Sequence, residues 1–205
     1  MSHYFTNDNI QSNLKIHKIV VKDKTFSFYT DNGVFSKRKL DYGSRLLIEA
    51  LIEENLSGSM LDVGCGYGVI GIILSSFFSD LNVNMIDVNR RGIHLAEMNM
   101  KLNNIRASVF YSNVYDNISK KYDYIITNPP IRAGKKVVYD ILFNSKKYLN
   151  DNGCLYFVIN KNQGAKTVMS LLNKEASIEV LKKDKGFFVI KCKFDWQVDT
   201  FVVII

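Results

Sequence analysis

Leu61-Asp62-Val63-Gly64-Cys65-Gly66-Tyr67-Gly68, LDVGCGYG, sets three glycines on alternate positions directly behind a short apolar run. Met60–Val63 reads as a strand and Val69–Phe78 as a helix, so the glycines form the connection between them. Glycine lets the backbone turn sharply there and lets a ligand come close to it. Glycines alone suit many nucleotide-binding proteins, or simply a tight turn. Asp62 narrows the choice: a carboxylate beside the loop repels a pyrophosphate and can engage the ammonium of a methionine moiety, though it also suits a cap.

Outward from this loop, strands and helices alternate. Val83–Asp87 is read as a strand, Gly92–Leu102 as a helix, and Ala107–Tyr111 and Tyr122–Thr127 as strands. A helix over Val137–Leu149, a strand over Leu155–Ile159 and a helix over Ala165–Leu172 follow, then strands Ile178–Leu181 and Phe187–Cys192 around a lysine-rich turn at Gly186. On the N-terminal side, residues 44–56 carry Leu46, Leu47, Ala50 and Leu51 at helical spacing, and residues 14–21 and 25–30 read as the two strands of a hairpin. Such alternation predicts a parallel sheet with helices on both faces, and two final strands without a helix between them make the last one antiparallel. The expected fold is α/β: a Rossmann-like, doubly wound, mostly parallel seven-stranded sheet with its last strand antiparallel, plus a small N-terminal β-hairpin. That is the outline of a class I methyltransferase, an analogy of fold that does not identify an activity.

At 205 residues and 47% hydrophobic, the chain can bury the core of one full-sized domain. It contains no apolar run of membrane-spanning length, and its opening MSHYFTNDN lacks the basic-then-apolar order of a secretory signal. Cys65, Cys154 and Cys192 are odd in number, far apart and without metal-ligand spacing, so they read as buried thiols in a reducing, cytoplasmic compartment, with no metal site. The formal charge of +7, with clusters at 37–39, Arg90-Arg91, Lys135-Lys136 and Lys182-Lys183, favours a polyanion such as nucleic acid, or else a solvated basic surface.

Asp87 ends the second core strand, near the interval at which an acid meets ribose hydroxyls in dinucleotide folds. Asn113 follows the third, where a side-chain oxygen can accept from an adenine amine. Together with Asp62 and the loop of Gly64, Cys65, Gly66 and Gly68, these residues suit S-adenosylmethionine (SAM). Without a ligand they read as a tight turn, a cap and a loop acid.

Both prolines of the chain, Pro129 and Pro130, stand behind Asn128 at the end of the fourth core strand. Two adjacent prolines make a stiff segment that accepts hydrogen bonds and donates none. An exocyclic amine on a base is a poor nucleophile because its lone pair is delocalised into the ring. Acceptors at the Asn128 side-chain oxygen and the Pro129 carbonyl would draw its two N–H bonds out of conjugation and aim the lone pair at a methyl group. Ile131 would pack against the ring, and no metal is needed when the leaving group is a neutral thioether. The alternative is a rigid loop whose asparagine caps the next helix.

These residues resemble the ribosomal RNA small-subunit guanine-N2 methyltransferase C family, especially its short, single-domain relatives. The likeness runs through His3-Tyr4-Phe5, residues 33–36 (GVFS), residues 40–47 (LDYGSRLL), Leu61–Gly68, the string Asn128–Lys135 (NPPIRAGK) and Gln163-Gly164-Ala165-Lys166. It implies SAM-dependent methylation of an exocyclic amine, with ribosomal RNA as the partner. It implies that residues 34–44 fold over the cofactor, with Phe35 and Ser36 near it and Asp41 and Gly43 shaping the turn. From the residues alone, Phe35 could equally be core and Asp41 a helix cap. The implied division is 1–43 for the hairpin and cofactor-covering segment, 44–193 for the catalytic domain and 194–205 for a C-terminal extension, expected as an added edge strand. Three features depart from the family: Ile131 replaces a common aromatic, Asn113 stands where Asp is frequent, and residues 194–205 extend beyond the expected last strand as an added edge strand, a partner-docking tail or a frayed end; the larger members also carry a second, cofactor-free half that this chain lacks. Arg132 and Lys135 read as phosphate contacts or as a solvated basic loop. The rival substrates are a protein glutamine or a DNA adenine, and the rival class is a non-catalytic RNA-binding or assembly module.

Overall fold

A computed structural model of the chain describes residues 11–34 and 40–195. In chain order the elements are β1 (Lys15–Val21), β2 (Lys24–Thr30), α1 (Tyr42–Leu51), β3 (Gly58–Val63), α2 (Val69–Phe77), β4 (Leu81–Asp87), α3 (Arg90–Leu102) and β5 (Ser108–Tyr111). Then come β6 (Tyr122–Thr127), α4 (Lys135–Asn144), β7 (Leu149–Asn160), α5 (Ala165–Leu172), β8 (Ala176–Asp184) and β9 (Phe187–Phe194). β1 and β2 pair with each other; the other seven strands form one sheet in the order β5-β4-β3-β6-β7-β9-β8. β9 runs antiparallel to both its neighbours, and every other pair in the sheet is parallel. The expected seven-stranded doubly wound sheet, reversed last strand and hairpin are all present.

The order of the sheet follows from where apolar side chains must go. Strands of a doubly wound sheet are covered on both faces, so they alternate between two cores rather than between core and water. Along β3, Met60 belongs to the core on the side of α1 and α2, whereas Leu61 and Val63 belong to the core on the other side, to which α4 and α5 contribute. The chain winds outward from β3 to β5, then returns to lay β6 against the other side of β3, with Asp62 opposite Ile126. That reversal is the switch point where open α/β sheets bind ligands, outside the carboxyl ends of the strands.

The hairpin is held by two asparagines one helical turn apart, Asn99 on α3 and Asn103 at its C-cap. Asn99 accepts from the Tyr29 N–H (2.6 Å) and donates to the Tyr29 and Tyr67 carbonyls (3.0 and 2.9 Å). Asn103 accepts from the Ser27 N–H (3.1 Å) and donates to the Ser27 carbonyl (2.7 Å). The two amides thus serve alternate residues of β2 as a neighbouring strand would, and they tie the hairpin to the glycine loop through Tyr67.

Several sequence-based boundaries shift, three of them with a bearing on the helices and the C-terminal end. The helix expected over 44–56 is α1, ending at Leu51. The helix expected over 137–149 is shorter: α4 stops at Asn144, a 3-10 turn spans Ser145–Tyr148, and β7 has begun by Leu149, which pairs with Tyr122. Ser145 helps to end the helix, its hydroxyl donating to the Leu142 carbonyl (2.7 Å). Last, β9 continues to Phe194, and the extension expected as an edge strand lies, from residue 196 onward, outside the described residues. Among the described residues no helix is long and apolar enough to cross a membrane.

Candidate active site

Four strand ends converge at the switch point. After β3 the chain turns back on β4: the Gly64 and Cys65 N–H groups both donate to the Ile86 carbonyl (2.9 and 3.0 Å). The Gly66 N–H donates to Asp87 Oδ2 (2.7 Å), while Asp87 Oδ1 accepts from the Asn89 N–H (2.8 Å). The glycine loop and the candidate ribose acid are therefore one hydrogen-bonded unit. Gly66 has φ +56°, and a side chain there would meet nothing within 4 Å, so the loop is open on its outer side. Burial raises the pKa of Asp87 in spite of the N–H groups of Asn89 and Gly66 that bond its charged form.

Asp62 lies beneath this loop, fully buried. Its Oδ2 accepts from the Gly71 N–H in the first turn of α2 (3.0 Å), and its Oδ1 is buried with no partner among the described residues. Burial, with a smaller contribution from the charge of Asp87, raises its pKa to about 7, against the opposing effect of the Gly71 N–H. The carboxyl expected to face an ammonium thus braces the start of α2 with one oxygen and leaves the other uncommitted. Cys65 is likewise buried, and burial pushes its thiol well above the ordinary range, which makes it inert packing. Asn113 is exposed on the loop after β5, its Nδ2 donating to Asp116 Oδ2 (3.0 Å). The neighbouring Ser112 N–H donates to the Asp87 carbonyl (3.1 Å), so Asn113 and Asp87 stand on adjacent strand ends.

On the other side of the switch point, Thr127 anchors the end of β6 by donating to the Val63 carbonyl (2.8 Å). Asn128 then donates through Nδ2 to Asp41 Oδ1 (3.1 Å) and to Ser44 Oγ (2.9 Å). The Pro130 carbonyl is committed to the following 3-10 turn, where it accepts from the Ala133 N–H (2.9 Å); Pro129 is buried. Pro130 also stands close to the glycine loop, its Cδ 3.8 Å from where a side chain on Gly64 would begin. Ile131 and Lys135 line a cavity of about 340 Å³ with Val138, Tyr139, Thr167 and Val168, between the starts of α4 and α5. Lys135 lies over the Tyr139 ring (5.0 Å to its centroid), and Arg132 is exposed beside it.

The structure therefore gathers Asp62, Gly64, Cys65, Gly66, Gly68, Asp87, Asn113, Asn128, Pro129, Pro130 and Ile131 around one switch point. Phe35 and Ser36 lie outside the described residues. Asn89 and Ser44 were not anticipated from the sequence. Asn89 caps α3 by accepting from the Arg91 and Gly92 N–H groups, and it donates to the Gly33 carbonyl (3.1 Å). An asparagine two residues past Asp87 and directly before a helix is a recognisable N-cap signal. Ser44 carries no such signal, since its partner is far away in the chain.

Residues 25–191 match the family described as Methyltransferase small domain. The chain belongs to the methyltransferase small domain family. Within reach of this family's relatives, it is 41% identical over 196 residues to the uncharacterized protein YbxB of Bacillus subtilis, covering 93% of this chain and 98% of that protein. It is 31% identical over 189 residues to the ribosomal RNA small subunit methyltransferase C of Colwellia psychrerythraea, covering 90% of this chain and 52% of that one. The chain thus spans about half the length of such ribosomal relatives. It superposes on the T. thermophilus 16S rRNA N2 G1207 methyltransferase (RsmC), solved with AdoMet and guanosine, with a TM-score of 0.81 and 22% identity over 91% of this chain and 52% of that one. This likeness is one of fold, and the fold is that of a class I methyltransferase.

Proposed function

We propose that this member of the methyltransferase small domain family is a SAM-dependent N-methyltransferase acting on an exocyclic amine of RNA in the cytoplasm, with guanine N2 of ribosomal RNA as the target. The observation that carries the reading is the close approach of two loops at the switch point: the glycine loop after β3 and Asn128-Pro129-Pro130 after β6, with Pro130 Cδ 3.8 Å from where a side chain on Gly64 would begin. The site fits SAM on two grounds. Among the described residues the space over Gly66 is open, and Asp62 Oδ1 is a buried polar atom without a partner that a cation at the loop would satisfy.

In this reading Asp62 and the glycine loop serve the methionine end of SAM, Asp87 the ribose and Asn113 the adenine, with Phe35 and Ser36 joining from the segment expected to cover the cofactor. When bound, SAM supplies an electrophilic methyl group on a sulfonium centre whose leaving group is a neutral thioether. The Asn128 side-chain oxygen and the Pro129 carbonyl accept the two hydrogens of the target amine and so free its lone pair. Preorganised acceptors of this kind are typically worth roughly 3 kcal/mol each in a transition state, and alignment for in-line attack adds to that. Asparagine is too weak a base to keep the surplus proton, which leaves to water after methylation. Ile131 packs against the ring, while Arg132 and Lys135 meet phosphates.

The test is transfer of label from tritiated SAM to ribosomal RNA and to partly assembled subunits, comparing the wild type with Asn128→Ala. Label entering RNA, and falling at least roughly a hundredfold in the variant, is the expected result. SAM binding with no RNA labelled would move the assignment to a protein glutamine or a DNA adenine. No SAM binding at all would leave a non-catalytic RNA-binding module.

A further inference from the structure

An asparagine amide has nearly the same shape after a half-turn but the opposite chemistry: one face accepts and the other donates twice. For Asn128 to hold an amine, its oxygen must face the substrate and its nitrogen must face away. Nothing in Asn128 itself decides this. We infer that Asp41 is a positioning residue for Asn128, fixing which way the amide faces and so presenting Oδ1 to the amine. The inference rests on the reading of Asn128 as the amine acceptor.

Its physical basis is that a carboxylate only accepts. Asp41 Oδ1 lies 3.1 Å from Asn128 Nδ2, and Ser44 Oγ lies 2.9 Å from the same nitrogen, so both amide hydrogens are engaged on the α1 side. Turned over, Asn128 would set its own oxygen against the Asp41 carboxylate, leaving both without a hydrogen. Ser44 could tolerate either orientation, because a hydroxyl can donate as well as accept. Asp41 could not. It is the only one of the two partners that discriminates.

Asp41 is itself held in place. It is the N-cap of α1, with φ −66° and ψ 155°, and the same Oδ1 accepts from the Ser44 N–H (3.0 Å). Gly43 lies under the Phe187 ring, where an added Cβ would come within 3.2 Å of Phe187 and 3.3 Å of Asp41 Oδ1, so the turn closes tightly on that oxygen. A helix cap alone would be served equally well by Ser, Thr or Asn. The second duty, over 87 residues of sequence, is what calls for an acceptor-only side chain.

The test compares Asp41→Ser, which keeps a capping oxygen but is too short to hold Asn128, with Asp41→Asn, which keeps length and cap but can pair with either face of the amide. The readouts are the solvent exchange of the Asn128 side-chain NH₂ by NMR, assigned by its disappearance in Asn128→Ala, and the kinetics of methyl transfer. In Asp41→Ser the expected results are exchange at least about tenfold faster and kcat lower by about ten- to a hundredfold, with KM for SAM little changed. Asp41→Asn should recover part of both losses. In an Asn128→Ala background, Asp41→Ser should lower kcat no further, because the residue through which it acts is gone. Unchanged Asn128 exchange in Asp41→Ser, or an equal fall in kcat with and without Asn128, would overturn the inference. Faster exchange in a protein that methylates no RNA would uphold the positioning and sink the RNA assignment instead.

Discussion

Asp62 is a carboxyl group out of reach of water, with a pKa of about 7 against an ordinary 3.8, chiefly because burial penalises its charge. The folded protein therefore keeps a proton that the unfolded chain releases near pH 4. Between about pH 4 and 7 the folded state binds more protons, so stability falls as pH rises, by on the order of 4 kcal/mol once the group is fully ionised. Asp62→Asn removes that penalty. Thermal melts should show the variant more stable than the wild type at pH 8 and the two converging near pH 4; an equal gap at both would mean that Asp62 does not titrate as described. A cation brought to the loop favours the charged form, so SAM binding near pH 7 should release a proton, measurable as a buffer-dependent heat in calorimetry. Two glycines give a second residue-scale contrast. A side chain on Gly66 would enter open space, whereas one on Gly71 would come within 2.6 Å of Met85 Sδ. Gly66→Ala should raise the Kd for SAM at least about tenfold while costing only about 1 kcal/mol from its positive φ. Gly71→Ala should instead lower the melting temperature, with overpacking typically costing about 1–3 kcal/mol. Loss of fold in the first, or an unperturbed melt in the second, would contradict this division.

At the scale of elements, the hairpin shows what sequence patterning leaves out. The short runs 14–21 and 25–30, parted by Lys22-Asp23-Lys24 and followed by the turn signal Asp31-Asn32-Gly33, were enough to reveal β1 and β2. Their docking was not visible: Asn99 and Asn103 look like the polar face of an ordinary surface helix until β2 is laid beside them. Asn99 is fully buried and serves three backbone groups. Truncating it leaves the Tyr29 N–H and the Tyr29 and Tyr67 carbonyls unpaired, and each unsatisfied buried group costs about 1–3 kcal/mol. In Asn99→Ala, amide exchange should speed up along β2 and around Tyr67 before it does in β3 and β6. Uniform acceleration across the sheet would mean that the hairpin is not a separately docked unit. The helix expected over 137–149 misled for a related reason. Apolar spacing continues past Asn144 through Tyr148 and Leu149, but the pairing of Leu149 with Tyr122 draws that stretch into β7. Local periodicity cannot register a partner strand more than twenty residues away.

For the molecule as a whole, the order of strands was legible because alternation and right-handed crossovers leave few ways to wind a sheet, and with the order came the placing of two loops at one switch point. The Asp41–Asn128 contact was not legible, since no spacing rule links residues so far apart. Charge lies between these cases: the excess of +7 was plain, but a count of lysines does not say which of them meet a polyanion. Geometry singles out Lys135, exposed and lining a cavity with Ile131 and Tyr139, and Arg132, exposed in the turn directly beyond the prolines. If both contact phosphates of single-stranded RNA, each contributes about 0.7 to the slope of log affinity against log salt. Arg132→Ala combined with Lys135→Ala should then flatten that slope by about 1.4 and weaken binding without changing which sequence is preferred. Lys37, Lys39, Lys182 and Lys183 lie elsewhere in the sequence, and Lys182 is already paired with Glu49 (3.5 Å), so Lys182→Ala serves as the contrast and should leave the slope nearly unchanged. A double variant that binds more weakly with the wild-type slope would make the two residues a solvated basic loop whose loss disturbs the cavity rather than a phosphate contact.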